Sequence, residues 1–100
     1  MGKRAFERIP AFLNARLFYC DFFYDALIIN LSQNGIYFFA KIEILSGLNI
    51  EISIPLESTE LNISGKIVRI SETSITSYRF GAELLSPSQE YIKFIQNRIA

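Results

Sequence analysis

Histidine is absent from this 100-residue chain and cysteine occurs once, at Cys20. That excludes His/Cys zinc sites, Ser-His-Asp triads and Cys-His dyads. No paired carboxylates and no activated nucleophile converge on a single motif, so the chain is not expected to be an enzyme or to hold a metal or cofactor. A lone cysteine leaves no intrachain disulfide, which fits a reducing compartment. Net charge is lacking too, because ten basic side chains cancel ten acidic ones, whereas a non-specific nucleic-acid binder carries a basic surplus. No stretch approaches the ~20 consecutive apolar residues of a membrane span, since Asn14, Arg16, Asp21 and Asp25 interrupt the richest region. Charges from Lys3 to Arg8 come before any apolar run of signal-peptide length. The expectation is a cytoplasmic protein with no membrane insertion and no nucleic-acid partner.

Half of the residues are apolar, and a chain of this length buries roughly 60–70% of its unfolded surface, enough for one core. Strict alternation over Leu48–Ile54 and Tyr78–Leu84, and again over Leu13–Leu17, predicts half-buried strands. Ala26–Ser32 and Ile36–Ile44 are rich in β-branched and aromatic residues and flank Asn34-Gly35, a type I′ hairpin signal. A further strand over Asn62–Ile70 slips phase around Gly65, as a bulge or barrel corner would. At the C-terminus, Ser86-Pro87-Ser88-Gln89 reads as a capping box with Ser86 as N-cap, opening a helix with Tyr91, Ile92, Ile95 and Ile99 on one stripe. The predicted fold is all-β: a six-stranded antiparallel β-barrel with a short C-terminal α-helix and a flexible N-terminal arm. One domain is expected, divided into an arm over residues 1–10, a barrel over 11–85 and a helix over 86–100.

Two short motifs carry candidate chemistry. Arg4 and Arg8 stand in an Arg-x-x-x-Arg spacing, and between Met1 and Arg16 the basic residues exceed the lone Glu7 by three charges. Pro10 disfavours the helical region for Ile9, which predicts an extended arm whose guanidinium forks can close over an anion. Strand alternation sends Leu27, Ile29 and Leu31 to one face and Asn30 and Ser32 together to the other. There Asn30 offers an amide, Ser32 a hydroxyl, and Gly35 a turn without a side chain. The bland alternatives are solvated arginines, ordinary outward strand residues and a hairpin glycine. Arg69 and Arg79 are expected to be solvated. The aromatic run Phe18, Tyr19, Phe22, Phe23, Tyr24 with Tyr37, Phe38 and Phe39 is expected to feed the barrel interior or an interaction surface, rather than a base-stacking platform.

Taken together and in this order, the motifs resemble those of the PilZ domain, a bacterial cyclic di-GMP receptor module, whose pattern is Arg-x-x-x-Arg followed by Asp/Asn-x-Ser-x-x-Gly. The resemblance covers the whole chain. It implies a ligand-binding set of Arg4, Arg8, Asn30, Ser32 and Gly35, with the arginines gripping phosphate and guanine and Asn30 and Ser32 meeting the ligand from the barrel surface. Asn30 stands where the family often has aspartate, keeping an amide oxygen in place of a carboxylate for the guanine donors. Lys3 stands where many members carry a further arginine associated with binding an intercalated ligand dimer. It retains the charge without the planar stacking fork. The implied function is a cyclic di-GMP receptor or adaptor whose arm orders on binding and which signals to a separate, unidentified downstream protein. The alternative is a nucleotide-independent protein-interaction module of the same fold, as in pilus or motility assemblies; a third, a single-strand nucleic-acid barrel, predicts strong salt dependence.

Overall fold

The computed structural model describes residues 8–99. Six strands, β1 (Ile9–Tyr19), β2 (Phe22–Ser32), β3 (Gly35–Ala40), β4 (Asn49–Pro55), β5 (Glu60–Ser74) and β6 (Ser77–Leu84), precede one helix, α1 (Gln89–Ile99). The strands form a closed barrel in the order β1-β2-β3-β6-β5-β4, with every neighbouring pair antiparallel. Closure removes the exposed edges that an open sheet of apolar strands would present to other chains.

The alternating residues fill the interior. Ile50, Ile52 and Ile54 of β4 and Phe80, Ala82 and Leu84 of β6 are buried, as their period requires. Phe38 and Phe80 face each other in register, their rings stacked at 5.1 Å between centroids. The helix adds Tyr91 and Ile95, both wholly buried, to the same core. A large-to-small change at such sites costs about 3–5 kcal/mol for an aromatic.

Several local expectations are corrected. The Gln33-Asn34 pair, and not Asn34-Gly35, forms the β2–β3 turn, because Ser32 and Gly35 are already paired. Neither Asn34 nor Gly35 has a positive φ; among the described residues the left-handed non-glycine positions are Cys20, Asp21 and Ser86. The turn is instead held by the Ser32 hydroxyl, which donates to Asn34 Oδ1 at 3.0 Å, and by Leu84 N–H, which donates to the Asn34 carbonyl at 2.9 Å. The left-handed pair occurs at Cys20 and Asp21, with φ of 52° and 69°, closing the β1–β2 hairpin. Gly65 is no bulge either. It pairs in register with Ile50 and Leu84, and the slip falls beyond it, between Ile67 and Arg69.

On β2 the simple alternation fails at Ile29. A register shift between Ile28 and Asn30 puts Ile28 and Leu31 in the core and leaves Leu27 and Ile29 part-exposed. Of the aromatic run, Phe38 is buried, whereas Phe22 and Phe23 are 64% and 58% exposed. Phe18 and Phe23 are cross-strand partners on the outer wall, with the Arg16 guanidinium 4.4 Å from the Phe23 ring centroid. β1 opens at Ile9, ahead of the expected arm boundary, with Pro10 opposite Asn30.

The helix begins at Gln89, later than residue 86, and its N-cap is Ser88, not Ser86. The Ser88 hydroxyl accepts the Tyr91 N–H at 3.1 Å, while Ser86 adopts a left-handed φ of 50° in the connection. Ser88→Ala is therefore expected to lower the unfolding free energy by about 1 kcal/mol in urea denaturation. The same change at Ser86 should stay within about 0.5 kcal/mol. Burial also raises the Tyr91 phenol pKa above its ordinary value of 10. A raised phenol pKa means the folded state prefers the protonated form, so this contribution is complete below pH 10 and is lost as pH rises beyond it. The fall in melting temperature above pH 10 should accordingly be shallower in Tyr91→Phe than in the wild type.

Candidate functional site

Barrel register decides which side chains meet. Antiparallel pairing sets Pro10 opposite Asn30, Asn30 opposite Tyr37, Tyr37 opposite Gly81, and Gly81 opposite Arg69. These five residues form one row across β1, β2, β3, β6 and β5. Two bulges create it. Had β2 continued in phase from the Ile28–Phe38 pair, Ile29 would face Tyr37; had β5 continued from Ile67–Ala82, Val68 would face Gly81. Each bulge thus exchanges an aliphatic side chain for a polar or cationic one.

An open groove of about 610 Å³ lies along this row, within the roughly 300–1,000 Å³ span of small-molecule sites. Arg8, Asn30, Ser32 and Gly35 all line it. Arg8 immediately precedes Ile9, which pairs with Leu31, so it leaves β1 beside Ser32. Lys3 and Arg4 lie outside the described residues. Gly35 sits where an added Cβ would stand 3.3 Å from the Ala82 carbonyl oxygen and 3.6 Å from Ser32 Oγ. Its bare backbone keeps that end of the groove open.

Further lining residues not marked by the sequence as site candidates include Gly81 and Glu83, together with Tyr37, which was expected to feed the barrel interior or an interaction surface. Arg69, expected to be merely solvated, lines the groove as well. The Arg8 guanidinium carbon lies 4.6 Å from the centroid of the Tyr37 ring, and Arg69 Nη1 lies 3.5 Å from the Tyr37 hydroxyl. One tyrosine therefore organises two cations, which exceed the single carboxylate of Glu83. The ring lies over Gly81, where a Cβ would come within 2.7 Å of it. The only sequence signal for this packing was Tyr78-Arg79-Phe80-Gly81, in which a glycine interrupts large side chains; its partner lies three strands earlier in sequence and could not be read. Arg79 pairs with Phe39 and lies off the groove.

Ser32 is nearly buried, at 7% exposure. Its hydroxyl is engaged with Asn34 Oδ1 and lies 3.4 Å from the Gly35 carbonyl oxygen. Its own carbonyl accepts the Tyr91 hydroxyl at 2.6 Å. Among the described residues no cluster of three or more acidic or cysteine side chains could hold a metal ion, and no helix is long and apolar enough to cross a membrane. The surface so assembled suits an anion bearing flat, hydrogen-bonding groups: two guanidinium forks, one aromatic face, the amides of Asn30 and Asn34, and backbone left bare at Gly35.

Gly81→Ala should displace the Tyr37 ring and with it Arg8. In NMR spectra the ring-current shift of the Arg8 guanidinium protons, present in the wild type, should be lost both in Gly81→Ala and in Tyr37→Leu. Unchanged Arg8 resonances in both variants would show that the ring does not hold this cation.

Comparison with solved structures places the fold among known barrels. The chain superposes on the Bacillus subtilis inhibitor of motility MotI/DgrA with a TM-score of 0.78 at 19% identity, covering 99% of this chain and 51% of that one. It therefore spans about half the length of that protein. On the PilZ domain of Escherichia coli YcgR with c-di-GMP the TM-score is 0.76 at 19% identity, over 97% of this chain and 88% of that chain. The Escherichia coli YcgR complex with c-di-GMP gives 0.73 at 21%, over 97% and 44%. No protein of curated function matches the chain in sequence. The PilZ domain profile matches residues 2–100, and with the closed barrel and its motif-lined groove this chain belongs to the PilZ domain family.

Proposed function

We propose that the groove binds cyclic di-GMP and that the protein is a cytoplasmic receptor or adaptor, not an enzyme. The observation that carries the proposal is the convergence of Arg8, Asn30, Ser32 and Gly35, residues of two separate motifs, on one groove in a PilZ-family barrel. Two structural neighbours, both from Escherichia coli YcgR, are c-di-GMP complexes, which supports the same ligand here. Arg4 and Arg8 would grip phosphate and guanine, Asn30 would meet the guanine donors through its amide oxygen, and Ser32 would offer its hydroxyl. Arg69 and the Tyr37 face extend the set. Lys3 would add charge at the entrance.

Magnitudes permit this. A charge-assisted hydrogen bond contributes about 1.5–3 kcal/mol and micromolar binding requires about 8 kcal/mol, so four or five such contacts with base stacking suffice. Fixing each backbone residue of the arm costs roughly 1–2 kcal/mol. Ordering of the arm ahead of Arg8 around the ligand is the proposed signal, passed to a separate downstream protein.

Isothermal titration with cyclic di-GMP is the test, with cyclic di-AMP as the competing ligand. Saturable binding is expected, weakened about ten- to a hundredfold in Arg4→Ala and in Arg8→Ala. The molar ratio reports whether Lys3 supports one ligand or an intercalated pair. Proteolysis within residues 3–8 should slow when ligand is present; cleavage at an unchanged rate would sink the arm-ordering step alone. Absence of heat and of any thermal shift at high ligand concentration overturns the receptor reading in favour of a nucleotide-independent interaction module.

A further inference from the structure

The β2–β3 turn that lines the groove is gripped from outside by the C-terminal part of the chain at two points. Leu84, the last residue of β6, donates its N–H to the Asn34 carbonyl at 2.9 Å. Seven residues later Tyr91 of α1 donates its hydroxyl to the Ser32 carbonyl at 2.6 Å, in a buried hydrogen bond between residues 59 apart in sequence. Within the turn, the Ser32 hydroxyl joins these anchors by donating to Asn34 Oδ1. A single hydrogen-bonded path thus runs from the first turn of the helix through both Ser32 and Asn34, each of which lines the groove.

We propose that Tyr91 is a positioning residue of the groove, and that through its bond to Ser32 the occupancy of the groove is communicated to helix α1. The second half of the statement rests on the receptor reading above; the first half does not. The phenol is suited to the task. It is wholly buried and attached to a helix whose Ser88 cap fixes the Tyr91 amide as well, so backbone and side chain of one residue are both held. Burial keeps its pKa above the ordinary value, and the hydroxyl remains a donor at neutral pH.

Any ligand atom that recruits the Ser32 hydroxyl must compete with Asn34 Oδ1, its present partner. Loss of that bond frees the Asn34 side chain and changes the turn between the two anchors. Helix α1 is the element that responds, since Tyr91 and Leu84 lie at either end of the short connection joining it to β6. The helix is therefore the surface on which a downstream protein would sense the ligand. The coupling is reciprocal, so a change that releases Tyr91 must also alter the groove.

The experiment compares the wild type with Tyr91→Phe and with Ile95→Val. Tyr91→Phe removes one oxygen from a buried ring, whereas Ile95→Val loosens helix packing but leaves the hydroxyl bond in place. Without ligand, amide exchange at Asn34, Gly35 and Leu84 is expected to accelerate at least fivefold in Tyr91→Phe and to stay within twofold in Ile95→Val. Equal acceleration in both variants, or none in Tyr91→Phe, overturns the positioning role. With saturating cyclic di-GMP, exchange in α1 of the wild type is expected to change at least threefold, and this response is expected to be lost in Tyr91→Phe. An unchanged helix in a wild type that binds the ligand, or a full response in Tyr91→Phe, overturns the communication. A wild type that does not bind overturns the receptor reading and the communication with it, while the ligand-free exchange still decides the role of Tyr91. Should Tyr91→Phe fail to fold, Asn34→Ala substitutes for it in the ligand-bound comparison, since it cuts the same path at the acceptor of the Ser32 hydroxyl and leaves the proposed ligand contacts in place.

Discussion

Closing six strands into a barrel forces their registers to agree all the way round, and irregularities are where the mismatch is absorbed. In this chain they fall between Pro10 and Leu13, at Ile29, at Val68 and near Thr73. Those at Ile29 and Val68 determine the candidate surface. Each moves an aliphatic residue out of the row that crosses the groove and brings in Asn30 or Arg69. Closure and site are thus one construction, and a barrel with the same sequence in perfect alternation would set Ile29 and Val68 in that row in place of Asn30 and Arg69.

At the centre of the row, Tyr37 lies across Gly81 and holds the Arg8 guanidinium against its ring. An exposed cation–π contact is worth about 0.5–1 kcal/mol, less than the about 1.5–3 kcal/mol of a charge-assisted hydrogen bond. Arg8 is therefore held against the ring by a contact weak enough for an anion to displace. Arg69 approaches the same ring from the hydroxyl end, so the tyrosine spaces two like charges that an empty groove would otherwise drive apart.

The rest of the molecule supports the turn at the other end of the groove. Helix α1 contributes Tyr91 and Ile95 to the core, and through Tyr91 it also supplies a donor to the backbone of the motif serine. A tyrosine hydroxyl is rarely buried without a partner, and here the partner is the carbonyl of Ser32, which also lines the groove. Core packing and site geometry consequently share an atom pair.

What could be read from the amino-acid order was whatever depends on neighbours. Alternation in Leu48–Ile54 and Tyr78–Leu84 marked strands that the barrel contains, the period change marked the helix, and the spacing of Arg4, Arg8, Asn30, Ser32 and Gly35 marked the family. Hydrophobic period and motif spacing are local properties, so one dimension suffices for them. Other features needed the closed barrel. Ile29 sits outside the core because two strands slip past each other, the Gln33-Asn34 turn is bound from β6 by Leu84, and Ser88, not the left-handed Ser86, caps the helix. Arg69 and Tyr37 become neighbours of Arg8 only through four pairings across five strands, and Tyr91 meets Ser32 across 59 residues. Registers around a barrel must satisfy all six pairings at once, which no local pattern can specify; the sequence determined which residues are available to the groove, and tertiary structure decided which of them face it.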